Sequence, residues 1–443
     1  MDSPAPRGRG RLLRVLGLGF GLAVIVGNTI GAGILRTPGD VARHLPATAL
    51  FLGVWVVGAL YALLGANSLA ELGTAVPRSG GQYVFAHRAL GNYPAFVVGW
   101  SDWLSVCGTV AAVSIVIGDF SAALVPALRG HETTLAAAVA VAFALTQWRG
   151  VRWGSRIQNA TSLAKAVAFL ALIAAAFALG GGPVVTDPAA PPSGLALATA
   201  LLLALQGVIY TYDGWTGPVY FSEEIQDPGR NVPRALLGGV LSVIAIYLLV
   251  NAAFLYVLPV GRIAGEEFAA GAVAEAIFGA RGDTILRALT VLSLLSAVNA
   301  NQLMASRTLF GLGRDRLFSS RAAIVNAGGT PSVALWLGTV VAILFIVLGR
   351  TFEQVITVLA FFFVANYTVS FTSVFVLRRR EPLRPRPYRA WGYPYTTAAA
   401  LVGSVAFLLG AVAADTRNSM YALLLLAGSY PLFRWTRARE REE

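Results

Sequence analysis

The sequence predicts an all-α polytopic membrane protein with about twelve transmembrane helices, forming one transmembrane domain across residues 1–443. Three observations predict it. Hydrophobic residues make up 56% of the chain and charged residues 13%, about half the charge of a soluble domain. Apolar runs of bilayer length recur from end to end. Arginines crowd into alternate loops, as the positive-inside rule requires.

The apolar runs lie near 13–36, 47–73, 93–125, 133–149, 156–180, 195–221, 235–258, 284–311, 331–349, 352–377, 395–414 and 419–435. A cytoplasmic N-terminal tail (1–12) precedes them. With that tail in the cytoplasm, 24 loop arginines share its side. The opposite side has seven: Arg36, Arg43, Arg129, Arg262, Arg281, Arg350 and Arg417. This asymmetry requires an even number of spans and a cytoplasmic C-terminus. The 180–194 loop, Pro-rich, acidic and without a basic residue, reads as an external linker. Two further stretches read as amphipathic helices. One, at 79–90, lies on the cytoplasmic side with Tyr83 and Phe85 among polar residues. The other, at 265–278, lies outside, where it would cap a vestibule.

Several function classes are excluded. The sequence pI near 10.2 would point to nucleic acid only if the basic residues formed one patch, and they are scattered through loops. The single Cys107 lies in an apolar run, so no intrachain disulfide forms. His44, His87 and His131 lack metal-ligand spacing. No catalytic triad order, phosphate loop or zinc signature occurs. No enzyme activity, cofactor or metal is expected. The first run lacks a small-residue cleavage site and is not a removable signal peptide.

Of 34 basic residues, only Lys165 is a lysine. It lies within the fifth apolar run. An ionisable group at bilayer depth is costly and reads as functional. Arginine keeps its proton in proteins, whereas a buried lysine can lose it. Snorkelling is the bland alternative, but arginine snorkels equally well and is this chain's habitual choice.

Runs one and six are interrupted. The first carries Gly at 17, 19, 21, 27, 31 and 33; the sixth contains Gly207, Tyr212, Asp213, Gly214, Gly217 and Pro218. They stand in corresponding places if the first ten spans form two five-helix halves. Matched interruptions mark a transporter binding site, because backbone that leaves the helix is tolerated at membrane depth only where it lines a cavity. A half-helix starting near Gly31 and Gly33 presents free N–H groups that suit a carboxylate. One ending near Tyr210 and Tyr212 presents carbonyls that suit an ammonium. Together they fit a zwitterion. Close packing between small residues accounts for Gly17 and Gly21, but not for Asp213 beside Gly214.

These motifs resemble those of the amino acid–polyamine–organocation permeases, closest to the L-type amino acid transporter branch. GNTIGAGI, from Gly27 to Ile34, is similar to the first-helix motif. Glu71, Leu72 and the run PRSGGQY from Pro77 are similar to the second-helix end and following loop. YDGW from Tyr212 and EEIQDPGRNVP from Glu223 are similar to the sixth helix and its exit. Ser306 and Arg307 with Gly313, Arg314 and Asp315 fit the eighth-helix end. Arg386 to Arg389 with Gly392, Tyr393 and Pro394 fit the loop before span eleven. The resemblance covers essentially the whole chain, in order.

It implies an inverted five-plus-five repeat of the sodium-coupled leucine-transporter type, with discontinuous helices one and six. The halves would be 13–180 and 195–378, followed by helices eleven and twelve at 395–435. It implies a substrate carboxylate on the backbone of Gly31, Ala32 and Gly33, and an ammonium near the carbonyls of Thr29, Tyr210 and Asp213. Thr211 belongs to the same substrate site, and Tyr210 stands at an aromatic gate. Lys165 matches a fifth-helix lysine whose ammonium takes the place of a sodium ion, with Ser296 (or Ser293) supplying a hydroxyl. Ala32 and Ala297 depart from the family's usual serines. The 129–134 loop lacks the Cys that animal relatives use for a single-span partner, so no disulfide-linked subunit is expected.

Other acids read as structural. Asp102 lies near the cytoplasmic end of span three, and Glu223 and Glu224 read as gate or loop salt bridges close to Arg230 and Arg234. Asp213 either braces unwound backbone or faces a cationic side chain. The expectation is a permease of a bacterial inner (plasma) membrane, carrying neutral L-amino acids without sodium, by proton symport or exchange. Alternatives are a carrier for cationic amino acids or polyamines, and a non-transporting amino acid sensor, for which a soluble signalling domain or long tail would be expected.

Overall fold

The computed structural model describes residues 12–181, 192–348, 352–414 and 416–439. The expected N-terminal tail through residue 11, most of the 180–194 linker and Arg350 lie outside them. Among the described residues every regular element is helical, making this an all-α polytopic membrane protein.

The first apolar run forms two helices, α1 (Leu18–Thr29) and α2 (Ala32–His44), which meet at a 45° bend. The expected end near 36 is too early. Polar Arg36, Asp40 and Arg43 lower the hydropathy of α2, yet its other face buries Ile34, Leu35, Val41 and Ala42. An amphipathic half-helix is invisible to a test for continuous apolarity.

Next come α3 (Thr48–Ala75), the short α4 (Tyr83–Leu90), α5 (Asn92–Leu124), α6 (Glu132–Trp148) and α7 (Val151–Leu179). The sixth run forms α8 (Gly194–Tyr212), four irregular residues, then a 3-10 turn, Gly217–Phe221. Then follow α9 (Pro228–Val257), α10 (Val260–Ile263), α11 (Ala269–Phe278), α12 (Gly282–Arg314), α13 (Ser332–Leu348), α14 (Phe352–Arg380), α15 (Tyr395–Ala414) and α16 (Thr416–Arg439). Among the described residues, eight helices are long and apolar enough to cross a bilayer, and the bent α1–α2 pair makes up to nine. At the fourth and ninth expected spans, α6 and α13 have 17 residues each, the short end of what crosses a bilayer.

Packing partners recur five spans apart. α1 packs on α9 as α3 does on α8; α7 packs on α12 as α14 does on α5; α6 packs on α12 as α13 does on α5. The long α5 and α12 lie side by side at the centre.

Both amphipathic stretches pack on protein. Tyr83 and Phe85 of α4 are fully buried, with α4 packed on α5 and α14. α11 packs on α12 and α2. Just before it, the backbone at Glu266 passes so close to Gly39 that a Cβ there would sit 2.0 Å from the Glu266 carbonyl oxygen.

Candidate functional site: a cavity between two broken helices

The two breaks touch. Gly214 has φ +110°, and a Cβ on it would lie 2.9 Å from Thr29 Oγ1 and 3.0 Å from Asn28 Nδ2. Only glycine combines that backbone angle with that approach. Above the contact opens a cavity of about 450 Å³. Its wall includes Thr29, Gly31, Ala32, Gly33, Tyr210, Thr211 and Asp213, so the seven substrate-site residues named from the sequence share one space. Asn28, Thr109, Thr216, Tyr220, Leu294, Ala297, Asn301 and Met304 line it as well.

α2 starts at this wall with Gly31 as its N-cap and no side-chain cap. The first-turn N–H groups have no helical partner and carry the positive end of the helix dipole. The carbonyls at the two half-helix ends are partly engaged. Tyr247 of α9 donates to both Thr29 O (2.6 Å) and Thr211 O (3.0 Å), bridging the breaks. The Asp213 N–H donates to Tyr210 O at 3.1 Å. The Asp213 carboxylate accepts from the Tyr367 hydroxyl of α14. Thr37 and Thr211 share a hydroxyl bond of 2.7 Å, fastening α2 to α8.

Lys165 and Ser296 are not in the cavity wall; they lie behind the first break. Lys165 is fully buried. Its Nζ donates to Gly27 O at 2.6 Å and to Ile30 O. Contrary to the expectation that Ser296 offers its hydroxyl to the lysine, the two side chains meet only through a shared carbonyl. Ser296 donates to the same Gly27 O at 3.2 Å, while Ser293 donates to Ile30 O at 3.1 Å. Two carbonyls freed by the break are therefore each held by the ammonium and one hydroxyl. Ala297, one position on, faces the cavity instead.

Below the cavity the protein is sealed in three tiers along α12. Asp102 accepts from Tyr220 (2.7 Å) and Thr308 (3.2 Å). Next, Arg307 and Glu224 form a two-pronged pair at 3.0 and 2.9 Å, both side chains 0% exposed, with Phe221 under the guanidinium. Last, Arg314 binds Glu223 at 2.7 Å, and Arg78 binds Asp315 at 2.6 Å. Glu223 and Glu224 thus pair with α12, not with Arg230 and Arg234, the arginines nearest in sequence. Leu16 joins the plug, exchanging backbone bonds with Glu224 and Gln226.

In the outermost tier, His87 lies 3.3 Å from Asp315. That hydrogen bond raises the His87 pKa against the opposing effect of burial. Burial pushes the Asp315 carboxyl up, but the His87 bond and the Arg78 and Arg314 charges outweigh it and hold it at about 2.

At the other end the cavity reaches Arg36, Asp40, Arg43, Gly265, Glu266 and Glu267. Arg43, Glu266 and Glu267 are exposed.

Sequence reading missed Tyr247, Asn28 and Asn301. Asn301 donates to Asn28 Oδ1 at 2.6 Å, and Asn28 donates to Gly214 O at 3.4 Å. The available signal was a polar side chain inside an otherwise apolar run, the same signal that singled out Lys165.

The family model described as amino acid permease matches residues 18–430. The chain is 25% identical over 429 residues to the serine/threonine exchanger SteT of Bacillus subtilis (strain 168), covering 95% of this chain and 96% of that protein. It is 28% identical to the human b(0,+)-type amino acid transporter 1, covering 84% and 78% of the two chains. It is 26% identical to the human large neutral amino acids transporter small subunit 2, covering 85% and 72%. These relatives are transporters, not enzymes. Helix breaks that open on one cavity, in a polytopic helical chain matched almost end to end, lead to one conclusion: the protein belongs to the amino acid permease family.

Proposed function

We propose that the protein carries neutral L-amino acids across the membrane by alternating access, without sodium, through exchange or proton symport. One observation carries this reading: the uncapped start of α2 and the end of α8 open onto the same cavity. Free N–H groups at Gly31, Ala32 and Gly33 suit the carboxylate. The oxygen-bearing backbone of Thr29, Tyr210 and Asp213 suits the ammonium, since each carbonyl accepts two hydrogen bonds. Thr211 braces the α2 side of the pocket.

Sodium independence rests on Lys165. The Lys165 Nζ already bridges Gly27 O and Ile30 O, with Ser296 and Ser293 on the same oxygens, and when protonated it supplies the positive charge there. Exchange is favoured by the likeness to the Bacillus serine/threonine exchanger. The recurring packing partners favour two inverted five-helix halves, 13–180 and 195–378, followed by helices eleven and twelve. The 24-to-7 arginine asymmetry favours twelve crossings, both termini in the cytoplasm and a sealed end facing inward. The inner (plasma) membrane of a bacterium is the proposed location. Cys107 is buried, which favours function without a disulfide-linked subunit.

A second reading, transport of cationic amino acids or polyamines, is favoured by Asp213. Its carboxylate lines the cavity with a neutral hydroxyl as its hydrogen-bond partner, and among the described residues it has no ion pair.

A thermal-stability screen of the purified protein against neutral and cationic amino acids and polyamines separates these readings, since a bound ligand raises apparent stability by mass action. The proposal expects stabilisation by neutral amino acids and sodium-insensitive uptake into proteoliposomes. Stabilisation by polyamines lacking a carboxylate would overturn it, and binding without uptake would favour a sensor.

A further inference from the structure

We propose that the turn between α6 and α7 is a binding site for an anionic glycerophospholipid. Arg149, Arg152 and Arg156 hold its phosphate, and its acyl chains lie along the exposed face of α7.

The turn joins charge to aromatic surface. Trp148 and Trp153 are 50% and 51% exposed, and the Arg156 guanidinium sits 5.8 Å from the centroid of a Trp153 ring. Half-exposed tryptophans collect at the level of lipid headgroups. The three arginines are exposed, and among the described residues none makes an ion pair. No acid lies near them in sequence: the chain has no Asp or Glu between Glu132 and Asp187. The loop that clasps the turn brings none either, since residues 316–331 contain no acid. Unpaired guanidinium groups present planar, forked donors that match phosphate oxygens.

The clasp holds the turn in place. Val151 N donates to Gly328 O (3.0 Å), Asn326 Nδ2 to Trp148 O (2.6 Å) and Thr330 Oγ1 to Gln147 O (2.7 Å). The anchoring groups therefore stand on rigid backbone.

The face of α7 continues the site. At helical spacing, exposed positions run from Arg152 and Arg156 to Leu163, Val167 and Leu170, with Leu163 65% exposed. The switch from guanidinium to aliphatic side chains along one stripe is the profile of a phospholipid: charge at the headgroup, then chains. A free anion would use only the first part, so the continuous stripe selects a lipid. Lys165, buried on the opposite face of α7, holds the first-helix break, so a lipid seated here would grip the helix that carries the lysine.

Thermal stability of the purified protein in neutral detergent, titrated with short-chain phosphatidylglycerol, phosphatidylcholine or inorganic phosphate, tests the site. Phosphatidylglycerol is expected to stabilise at the lowest concentration. R149Q/R152Q/R156Q should weaken that response by roughly fivefold per arginine, on the order of a hundredfold in all. R230Q/R234Q, which removes exposed arginines elsewhere on the chain, should leave it unchanged. The assignment is overturned if phosphatidylcholine acts as well as phosphatidylglycerol, if inorganic phosphate does so, or if both sets of variants weaken the response equally.

Discussion

The two ends of the cavity are built from the same residue types and wired differently. At the sealed end, the three closest ion pairs join segments distant in sequence: Glu224 to Arg307, Glu223 to Arg314, Arg78 to Asp315. At the open end, Arg43–Asp40 lies within α2 and Arg287–Asp283 within α12. Pairs within one helix survive when helices move; pairs between distant segments must break together. The difference teaches where the free energy of switching is stored. Opening the sealed end must disrupt a buried pair and two half-buried ones, whereas closing the open end need disturb neither local pair.

The largest expected effect comes from breaking the deepest of these links. Glu224→Leu leaves Arg307 buried without a counter-charge and should cost about 3–5 kcal/mol. Thermal unfolding in detergent measures it. Replacing both partners, Glu224→Leu with Arg307→Met, should recover most of the loss. A double variant no better than the single one would mean that the pair is not what holds this end shut.

Lys165→Ala comes next. It removes the charged donor from Gly27 O and Ile30 O and should cost about 3 kcal/mol in the transport cycle, roughly a hundredfold in uptake. Lys165→Arg, if the larger group fits, separates charge from titration. Partial activity marks a charge-only role, whereas loss of pH-driven uptake in both variants marks proton coupling. Full transport by Lys165→Ala would make the lysine a bystander.

On the open side, Gly33→Val is expected to cost about 1–3 kcal/mol through overpacking, because a Cβ there already meets Thr211 Cγ2 at 3.2 Å. Uptake and ligand-induced stabilisation should both fall, while the protein stays folded in detergent. Unchanged ligand binding would remove the α2 start from the site.

The smallest effect is a pH dependence confined to the sealed end. His87 titrates above its ordinary value, so its contribution is complete below about pH 6.5 and fades as pH rises through its raised value. Asp315 is held at about 2, so its contribution is complete above its ordinary value and is lost only as pH falls toward 2. Partly exposed pairs of this kind are worth about 1 kcal/mol or less. Melting temperature should therefore decline slightly from pH 6 to pH 8 in the parent and less in His87→Gln. Equal slopes would show that His87 does not bias this end.

How much of this was legible in advance differs from residue to residue. The breaks at Gly31 and Gly214 could be read because glycine and polar residues inside apolar runs are conspicuous. The extent of α2 could not, because its buried face alternates with Arg36, Asp40 and Arg43. Glu223 and Glu224 read as gate or loop salt bridges, but the arginines nearest in sequence, Arg230 and Arg234, are not their partners. Their real partners, Arg314 and Arg307, lie 91 and 83 residues away. Tyr83 and Phe85 looked amphipathic, and only the packing of α4 on α5 and α14 shows that protein covers them.

The sequence by itself determined the class of this protein: helices of bilayer length, two interrupted runs in matching places, arginines weighted to one side and a single lysine at membrane depth. All of these are local properties of composition and spacing, which the cost of unpaired backbone and buried charge in lipid makes informative. Only the tertiary structure decided which carbonyls the lysine holds, that Tyr247 ties both breaks together, that Ser296 and Ser293 divide the two oxygens, and which end is shut. Those outcomes depend on where helices cross, and the crossing points are set by side-chain packing between segments far apart in the chain, which no run of neighbouring residues encodes.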